Sequence, residues 1–159
     1  MFSTIKIFYG SQTGNSESIA KEIAGILIDN RKNNVTCQDL NQADDLELWK
    51  EWKKEKDLLV IIVCSTTGNG DCPDNALKFW RKIKKRSHPL DTLSELKYIV
   101  LGLGDTNYDQ FCFMGKQIDK RIAQLGGNRV MPLKCVDEVD GMDEVVEKWI
   151  EELKKRVLF

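Results

Sequence analysis

Two runs of apolar residues restrict the fold of this 159-residue chain more than any other feature. Residues 57–65 read DLLVIIVCS and residues 97–105 read KYIVLGLGD. A strand is apolar along its whole length when helices cover both faces of its sheet, as they do in parallel sheets. Both runs are far shorter than the roughly 20 residues that a membrane-spanning helix needs. The sequence therefore predicts an α/β protein with a buried parallel sheet.

Three shorter strands complete this sheet, and helices alternate with the strands. The further strands are 4–10 (TIKIFYG), 35–40 (VTCQDL) and 129–136 (RVMPLKCV), in which Pro132 suits an edge. Apolar periodicity and capping residues predict helices over 15–29, 42–54, 74–85, 114–125 and 143–155. Right-handed crossovers then give a three-layer sandwich around five parallel strands. The length suits a single domain covering residues 1–159.

Composition excludes several classes of function. The net charge of −1 gives no reason to expect a nucleic-acid partner. We see no signal peptide and no membrane segment, which favours a cytoplasmic protein. The five cysteines are an odd number without a CxxC pair, so we expect free thiols and no metal site. His88 is the only histidine, and no catalytic acid–base pair is evident.

Polar and glycine-rich residues follow three of the predicted strands. The loops read GSQTGNS (10–16), STTGNGDCPDN (65–75) and LGLGDTNYDQFC (101–112). Because the carboxyl ends of parallel strands meet at one edge of a sheet, we expect the three loops to form one ligand site there. The first loop opens a helix without any lysine or arginine, and a helix N-terminus of this kind suits a phosphate. A capping cluster without a ligand is the alternative for this loop taken alone.

These loops carry a resemblance to a known family. The segments SQTGNSESIA, STTGNGDCPDNALKF and GLGDTNYDQFCFMGKQIDKRIAQLGG together resemble the FMN-binding, flavodoxin-like domain of the diflavin reductases. This family includes the NADPH–cytochrome reductases and the methionine synthase reductases, and the latter look most similar. The resemblance covers nearly the whole chain and implies a flavodoxin-like sheet with the strand order 2-1-3-4-5.

The resemblance also implies a set of residues around FMN. The first loop would hold the phosphate, the second would line one side of the flavin ring, and the third would line the other side with Tyr108 stacked on the ring. Either Asp137 or Glu138 would lie near the ring edge. The implied residues are Ser11, Gln12, Thr13, Gly14, Asn15, Ser16, Ser65, Thr66, Thr67, Gly68, Asn69, Gly70, Leu103, Gly104, Asp105, Asn107, Tyr108, Phe111, Cys112, Asp137 and Glu138.

One position departs from the family pattern. Many relatives have an aromatic residue where this chain has Thr67, so one stacking partner of the flavin is missing here. On the scale of base–aromatic stacking, we expect this difference from the family pattern to weaken FMN binding by about 1–3 kcal/mol.

The family resemblance implies an electron-transfer domain and two kinds of partner. An FAD- and NADPH-binding module, in the same chain or a separate one, would supply electrons. A protein with a haem, cobalamin or iron–sulfur centre would accept them on the acidic surface between Asp137 and Glu152, a segment that is otherwise read as a solvated helix face. We expect the chain to be the N-terminal part of a longer diflavin reductase. The alternatives are a free-standing flavodoxin-type carrier and a binding module of the same fold.

Overall fold

The parallel sheet is the centre of the molecule. The structure is a computed structural model that describes residues 2–32 and 34–158. Its strands are β1 (Thr4–Gly10), β2 (Asn34–Asp39), β3 (Leu58–Ser65), β4 (Lys97–Gly104), β5 (Asn128–Arg129) and β6 (Lys134–Asp137). They pair in parallel in the order β2-β1-β3-β4-β5, and β6 also pairs with β4. The flavodoxin-like order 2-1-3-4-5 is confirmed.

Helices cover both faces of this sheet. They are α1 (Asn15–Asp29), α2 (Leu46–Lys54), α3 (Leu77–Ile83), α4 (Phe113–Gln124) and α5 (Met142–Val157), with short 3₁₀ turns at Leu40–Ala43 and Asp74–Ala76. All eight residues of β3 are buried. Its side chains alternate between a core layer shared with α1 and α5 and a second layer shared with α2, α3 and α4. The predicted three-layer arrangement is therefore confirmed.

The predicted last strand, 129–136, is wrong as a continuous element. Tyr98 pairs with Arg129, whereas Leu101 pairs with Lys134. Three steps along β4 thus correspond to five steps along its partner, and the two extra residues leave the ladder as a bulge. Exposed Pro132 lies in this bulge and has no N–H to offer a ladder. The interruption divides the strand into β5 and β6.

Two predicted helices begin later than expected. The helix predicted over 42–54 is a 3₁₀ turn followed by α2, because the Asp45 carboxylate accepts a hydrogen bond from the Glu47 N–H and caps the helix there. The helix predicted over 74–85 likewise starts as the 3₁₀ turn Asp74–Ala76 and ends as α3 at Ile83. Among the described residues, none of the helices is both long and apolar enough to cross a membrane.

Candidate functional site

The three polar loops meet at one edge of the sheet, beyond the carboxyl ends of β1, β3 and β4. The Ser16 and Ser65 hydroxyls share a hydrogen bond of 2.6 Å that joins the first loop to the second. The Thr66 N–H donates to the Leu103 carbonyl at 3.0 Å, which joins the second loop, after β3, to the end of β4 where the third loop begins. The topology therefore brings together the loops that the strand pattern placed at this edge.

The first loop exposes the N-terminus of α1. Gly14 is the N-cap residue with φ of 102°, and no side chain caps the helix. A Cβ on Gly14 would meet no atom within 4 Å, so open space lies beside it. Gln12 and Thr13 are exposed, and Asn15 is half-buried. Uncapped N–H groups and the positive end of the helix dipole favour an anion at this point.

The shape of the first loop depends on two serine contacts. The Ser11 hydroxyl accepts a hydrogen bond from the Gly14 N–H at 2.9 Å. The Ser11 N–H donates to the Asn75 side-chain oxygen at 2.8 Å. Asn75 lies 64 residues further along the chain. Its positioning role was missed from the sequence, where only its place in the second loop could have pointed to it.

A buried hydroxyl–carboxylate network lies behind the first loop. Ser16 is 0% and Ser65 is 4% exposed, and the Ser65 hydroxyl donates to the Glu138 carboxylate at 3.0 Å. Burial is the largest influence on Glu138 and raises its pKa, while hydrogen bonds from Ser65 and Asn15 oppose that shift. The Ser16 side chain thus connects the first turn of α1 to the end of β3, and its hydroxyl faces the protein interior.

The second loop is a tight turn between Thr67 and Asp71. These residues exchange two backbone hydrogen bonds, each of 2.8 Å. Gly68 and Gly70 lie inside the turn with φ of 52° and 112°, conformations that favour glycine. The Thr67 hydroxyl is buried and has no hydrogen-bond partner within the described residues. A buried hydroxyl without a partner costs free energy, so a ligand that satisfies it gains affinity.

Hydrogen bonds connect the second loop to the third. The Met114 N–H donates to the Thr66 hydroxyl at 3.1 Å, and the Gln110 N–H donates to the Asn69 side-chain oxygen at 3.0 Å. The start of α4 is therefore held by side chains of the second loop. The side chains of Thr66 and Asn69 accept these two hydrogen bonds, a positioning role that the sequence did not reveal.

The third loop presents one large aromatic side chain to solvent. Tyr108 is 45% exposed, and its N–H donates to the Asp105 carbonyl at 3.1 Å. The Asp105 side chain also contributes, because its carboxylate accepts a hydrogen bond from the Asn107 N–H at 2.8 Å and so shapes the turn. Phe111 is half-buried beneath Lys116, whose ammonium lies 5.6 Å from the ring centroid.

Three expected residues of the third loop offer little side chain to the site. Leu103 is 0% exposed in the core layer of α1 and α5, so its backbone carbonyl is the part that meets the second loop. Cys112 is also 0% exposed and packs against Gly102. Gly104 lies so close to Cys112 that a Cβ there would be 2.6 Å from the Cys112 nitrogen.

The two acidic candidates have different surroundings. The Asp137 carboxylate accepts hydrogen bonds from the Thr106 hydroxyl at 2.6 Å and the Val139 N–H at 3.0 Å, and these contacts lower its pKa. Glu138 instead lies between the first two loops through its contacts with Ser65 and Asn15. Of the two carboxylates, Glu138 is the one that the fold directs towards the meeting point of the loops.

The residues at this edge fit FMN. The uncapped start of α1 suits a phosphate, and exposed Tyr108 suits a planar aromatic ring. The unpartnered Thr67 hydroxyl supplies a polar group that the described part of the chain leaves unsatisfied. A single molecule with a phosphate and a planar aromatic ring that carries polar atoms matches these three features.

Comparisons with known proteins point to the same cofactor. A flavodoxin family model matches residues 7–149. NADPH-dependent diflavin oxidoreductase 1 of Danio rerio is 40% identical over 149 residues, which are 92% of this chain and 24% of the relative. Methionine synthase reductase of Bos taurus is 40% identical over 145 residues, or 91% of this chain and 20% of the relative. The chain thus spans about a quarter or less of the length of these curated relatives.

Solved structures agree with this assignment. Oxidised flavodoxin 2 from Bacillus cereus superposes with a TM-score of 0.72 at 26% identity and 97% coverage of both chains. A cysteine-to-alanine mutant of flavodoxin from Pseudomonas aeruginosa gives a TM-score of 0.74 at 25% identity, covering 97% of this chain and 98% of that one. This chain belongs to the flavodoxin family, whose cofactor is FMN and whose function is electron transfer.

Proposed function

We propose that this chain is the FMN domain of a diflavin reductase, which takes electrons from an FAD- and NADPH-binding module and passes them singly to a metal-centre protein. When bound, FMN supplies the ability to accept two electrons and to release them one at a time. The observation that carries this proposal is the meeting of three interlocked loops around an uncapped helix start and an exposed tyrosine.

The chain's own contribution would be to bind and orient the cofactor. The first loop, including Ser11 to Asn15, would hold the phosphate by N–H groups and side chains. Thr67 and Tyr108 would contact opposite sides of the ring. The Glu138 carboxylate would place negative charge near the site and thereby disfavour further negative charge on the ring. Of the remaining residues expected from the sequence, those with exposed or half-buried side chains are proposed as lining of the same site, and the buried residues Ser16, Ser65, Leu103, Gly104 and Cys112 would support it from behind.

The acceptor surface is proposed at the start of α5. Asp143, Glu144 and Glu147 are all exposed on this helix. Towards the other end, Glu151 and Glu152 already form ion pairs with lysines at 3.1 Å and 3.2 Å. Among the residues that the structure describes, Asp143, Glu144 and Glu147 form no ion pair. These carboxylates near the β6 edge of the site would steer a basic partner. That partner would carry a haem, cobalamin or iron–sulfur centre.

An FMN-dependent enzyme acting on a small substrate receives no support from the histidine. His88 packs edge-on against Trp49, with ring centroids 5.7 Å apart, and its Nε2 forms a hydrogen bond of 2.6 Å with the Lys82 carbonyl. This histidine is therefore engaged in structural contacts on the α2 and α3 side of the sheet. An electron-transfer role needs no such acid–base group.

A second candidate, a free-standing carrier, rests on one observation. The solved flavodoxins are matched along 97–98% of their own length, so a chain of this size can correspond to a whole flavodoxin. The diflavin relatives predict a protein about four times longer, since the match covers 24% of the relative. An immunoblot of the native protein separates the two, because a band at 18.2 kDa supports the carrier and a much larger band supports the reductase.

The cofactor proposal is tested by titrating the purified chain with FMN and following flavin fluorescence. We expect saturable binding at one site. Tyr108→Ala should weaken binding by about 1–3 kcal/mol, the scale of a lost stacking partner, whereas Tyr108→Phe keeps the ring and the affinity. An FMN affinity that is the same in Tyr108→Ala as in the unchanged chain would refute the placement of the flavin ring against Tyr108.

The electron-transfer proposal needs a separate measurement on the FMN-loaded chain. Stepwise anaerobic reduction, followed by absorbance, should proceed in two resolved one-electron steps. A single concerted two-electron step would contradict the role as a one-electron donor.

Thr67→Val tests the unpartnered hydroxyl, because this substitution removes a buried polar group from the free chain and a hydrogen-bond partner from bound FMN. We therefore expect a more stable free chain that binds FMN less tightly.

A further inference from the structure

We propose that Cys112 and Cys135 are a thiol pair that forms a reversible intramolecular disulfide, a modification site separate from the proposed electron transfer. Cys112 lies at the end of the third loop, immediately before α4, and Cys135 lies on β6. The two residues are distant in sequence, but the sheet brings them together.

The missing side chain of Gly102 makes this approach possible. Gly102 on β4 pairs directly with Cys135 on β6. A Cβ built on Gly102 would lie 2.5 Å from the Cys112 sulfur, so that sulfur occupies the space beside β4 which a side chain would fill. Because paired strands lie about 4.8 Å apart, the Cys112 sulfur is next to the strand position of Cys135.

Both thiols lie on the same face of the sheet. Val136 points into the core layer of α1 and α5. Since side chains alternate along a strand, its neighbour Cys135 points to the opposite face, where α4 packs. Cys112 approaches from the start of α4 on that face, and its sulfur lies over Gly102, the residue that pairs with Cys135.

The two thiols differ in exposure and in ionisation. Cys112 is 0% exposed, whereas Cys135 is half-buried and reachable from solvent. The hydrogen bond from Cys112 is the largest influence on Cys135 and lowers its pKa to about 7, with help from Lys116 and Lys134 against burial and Asp119. Cys135 is therefore suited to attack first and Cys112 to resolve the product.

The remaining thiols are less reactive. Burial raises the pKa of Cys37, of Cys64 and, to about 12, of Cys72. Thiolates are the reacting form, so these three cysteines should react slowly near neutral pH. The pair is thus distinguished from the other cysteines both by its geometry and by its chemistry.

Glutathione disulfide can serve as the oxidant. The Cys135 thiolate would attack one of its sulfur atoms, form a mixed disulfide and release one glutathione thiolate. The Cys112 sulfur would then attack the Cys135 sulfur, and the Cys112 proton would pass to the departing glutathione sulfur, which leaves as the second glutathione. Two protein thiols lose two electrons and two protons in total, and one glutathione disulfide becomes two glutathiones.

The test exposes the purified chain to glutathione disulfide near neutral pH, followed by acid quenching and peptide mapping. We expect two of the five thiols to be lost, a linked peptide pair containing Cys112 and Cys135, and full recovery with a reducing agent. Cys112→Ser should trap glutathione on Cys135, and Cys72→Ser should behave like the unchanged chain. A persistent glutathione adduct on the unchanged chain, or first reaction at Cys37 or Cys72, would overturn the proposal.

The ionisation of Cys135 gives an independent measurement that needs no variant. A free cysteine has a pKa of about 8.5. At pH 7, a pKa of about 7 in place of that value raises the thiolate fraction about 16-fold, and the lower intrinsic nucleophilicity of the thiolate cuts the resulting rate gain about fivefold. We therefore expect iodoacetamide to modify Cys135 about threefold faster than an unperturbed cysteine peptide. A rate at or below that of the peptide would overturn the assignment of Cys135 as the attacking thiol.

Discussion

Gly115 on α4 gives the sharpest prediction about how the site is held in place. It is buried against β4, and a Cβ at this position would lie 2.7 Å from the Cα atom of Gly102. Carbon atoms normally approach to about 3.5–4.0 Å, so Gly115→Ala creates an overlap of about 1 Å. The neighbour is backbone and cannot rotate away, so α4 must move off the sheet. We expect the free energy of unfolding to fall by about 1–3 kcal/mol.

Gly25 provides the matched control for this experiment. It lies within α1, is exposed, and a Cβ there would meet no atom within 4 Å. Gly25→Ala should therefore raise the free energy of unfolding by about 0.5–1 kcal/mol, the usual gain of alanine over glycine in a helix. Both variants are unfolded in urea without FMN, because bound cofactor would add its own stabilisation. Changes of the same sign at the two positions would refute the steric argument.

Three further predictions concern the loops. Ser65→Ala removes the hydroxyl that donates to Glu138 and should lower the free energy of unfolding by about 1–3 kcal/mol, measured in urea. Glu138 has a raised pKa in the folded chain, so it keeps its proton longer there than in the unfolded chain. The free energy of unfolding should therefore fall as the pH rises from 4.5, the ordinary pKa of a glutamate, through the higher pKa of Glu138 in the folded chain. Urea midpoints measured across this pH range should show the fall for the unchanged chain and lose it for Glu138→Gln. Thr67→Tyr should tighten FMN binding by about 1–3 kcal/mol in a fluorescence titration, and an unchanged affinity would show that the missing aromatic is not what limits binding.

The sheet could be predicted from the sequence because its signals are local. The apolar runs of β3 and β4 need no knowledge of their partners, and α1 (Asn15–Asp29) has the predicted bounds. The bulge between β5 and β6 has no such local signal. It depends on how five steps of one strand are matched to three of β4, which is a property of the paired strands. Pro132 indicated an edge but not where the ladder would resume.

The site could be located, but its internal contacts could not. The rule that loops meet beyond the carboxyl ends of parallel strands placed all three loops at one edge. The contact between Ser16 and Ser65 spans 49 residues, and that between Ser65 and Glu138 spans 73. In the sequence, a serine in a glycine-rich loop is equally consistent with an exposed hydroxyl that binds a ligand and with a buried hydroxyl that bonds to another loop. The direction of the side chain decides between these two roles, and packing of the folded chain sets that direction.

These contacts give the second loop a central place in the site. Through Ser65 it is hydrogen-bonded to the first loop, and through Thr66 and Asn69 it is hydrogen-bonded to the third. A shift of the second loop therefore changes both of its neighbours, which in our proposal hold the phosphate and the ring of the same cofactor. Electron transfer is served by groups that are already oriented and move little when charge arrives. A loop held from two sides meets that requirement, and the two glycines of its turn keep one short backbone segment able to adjust.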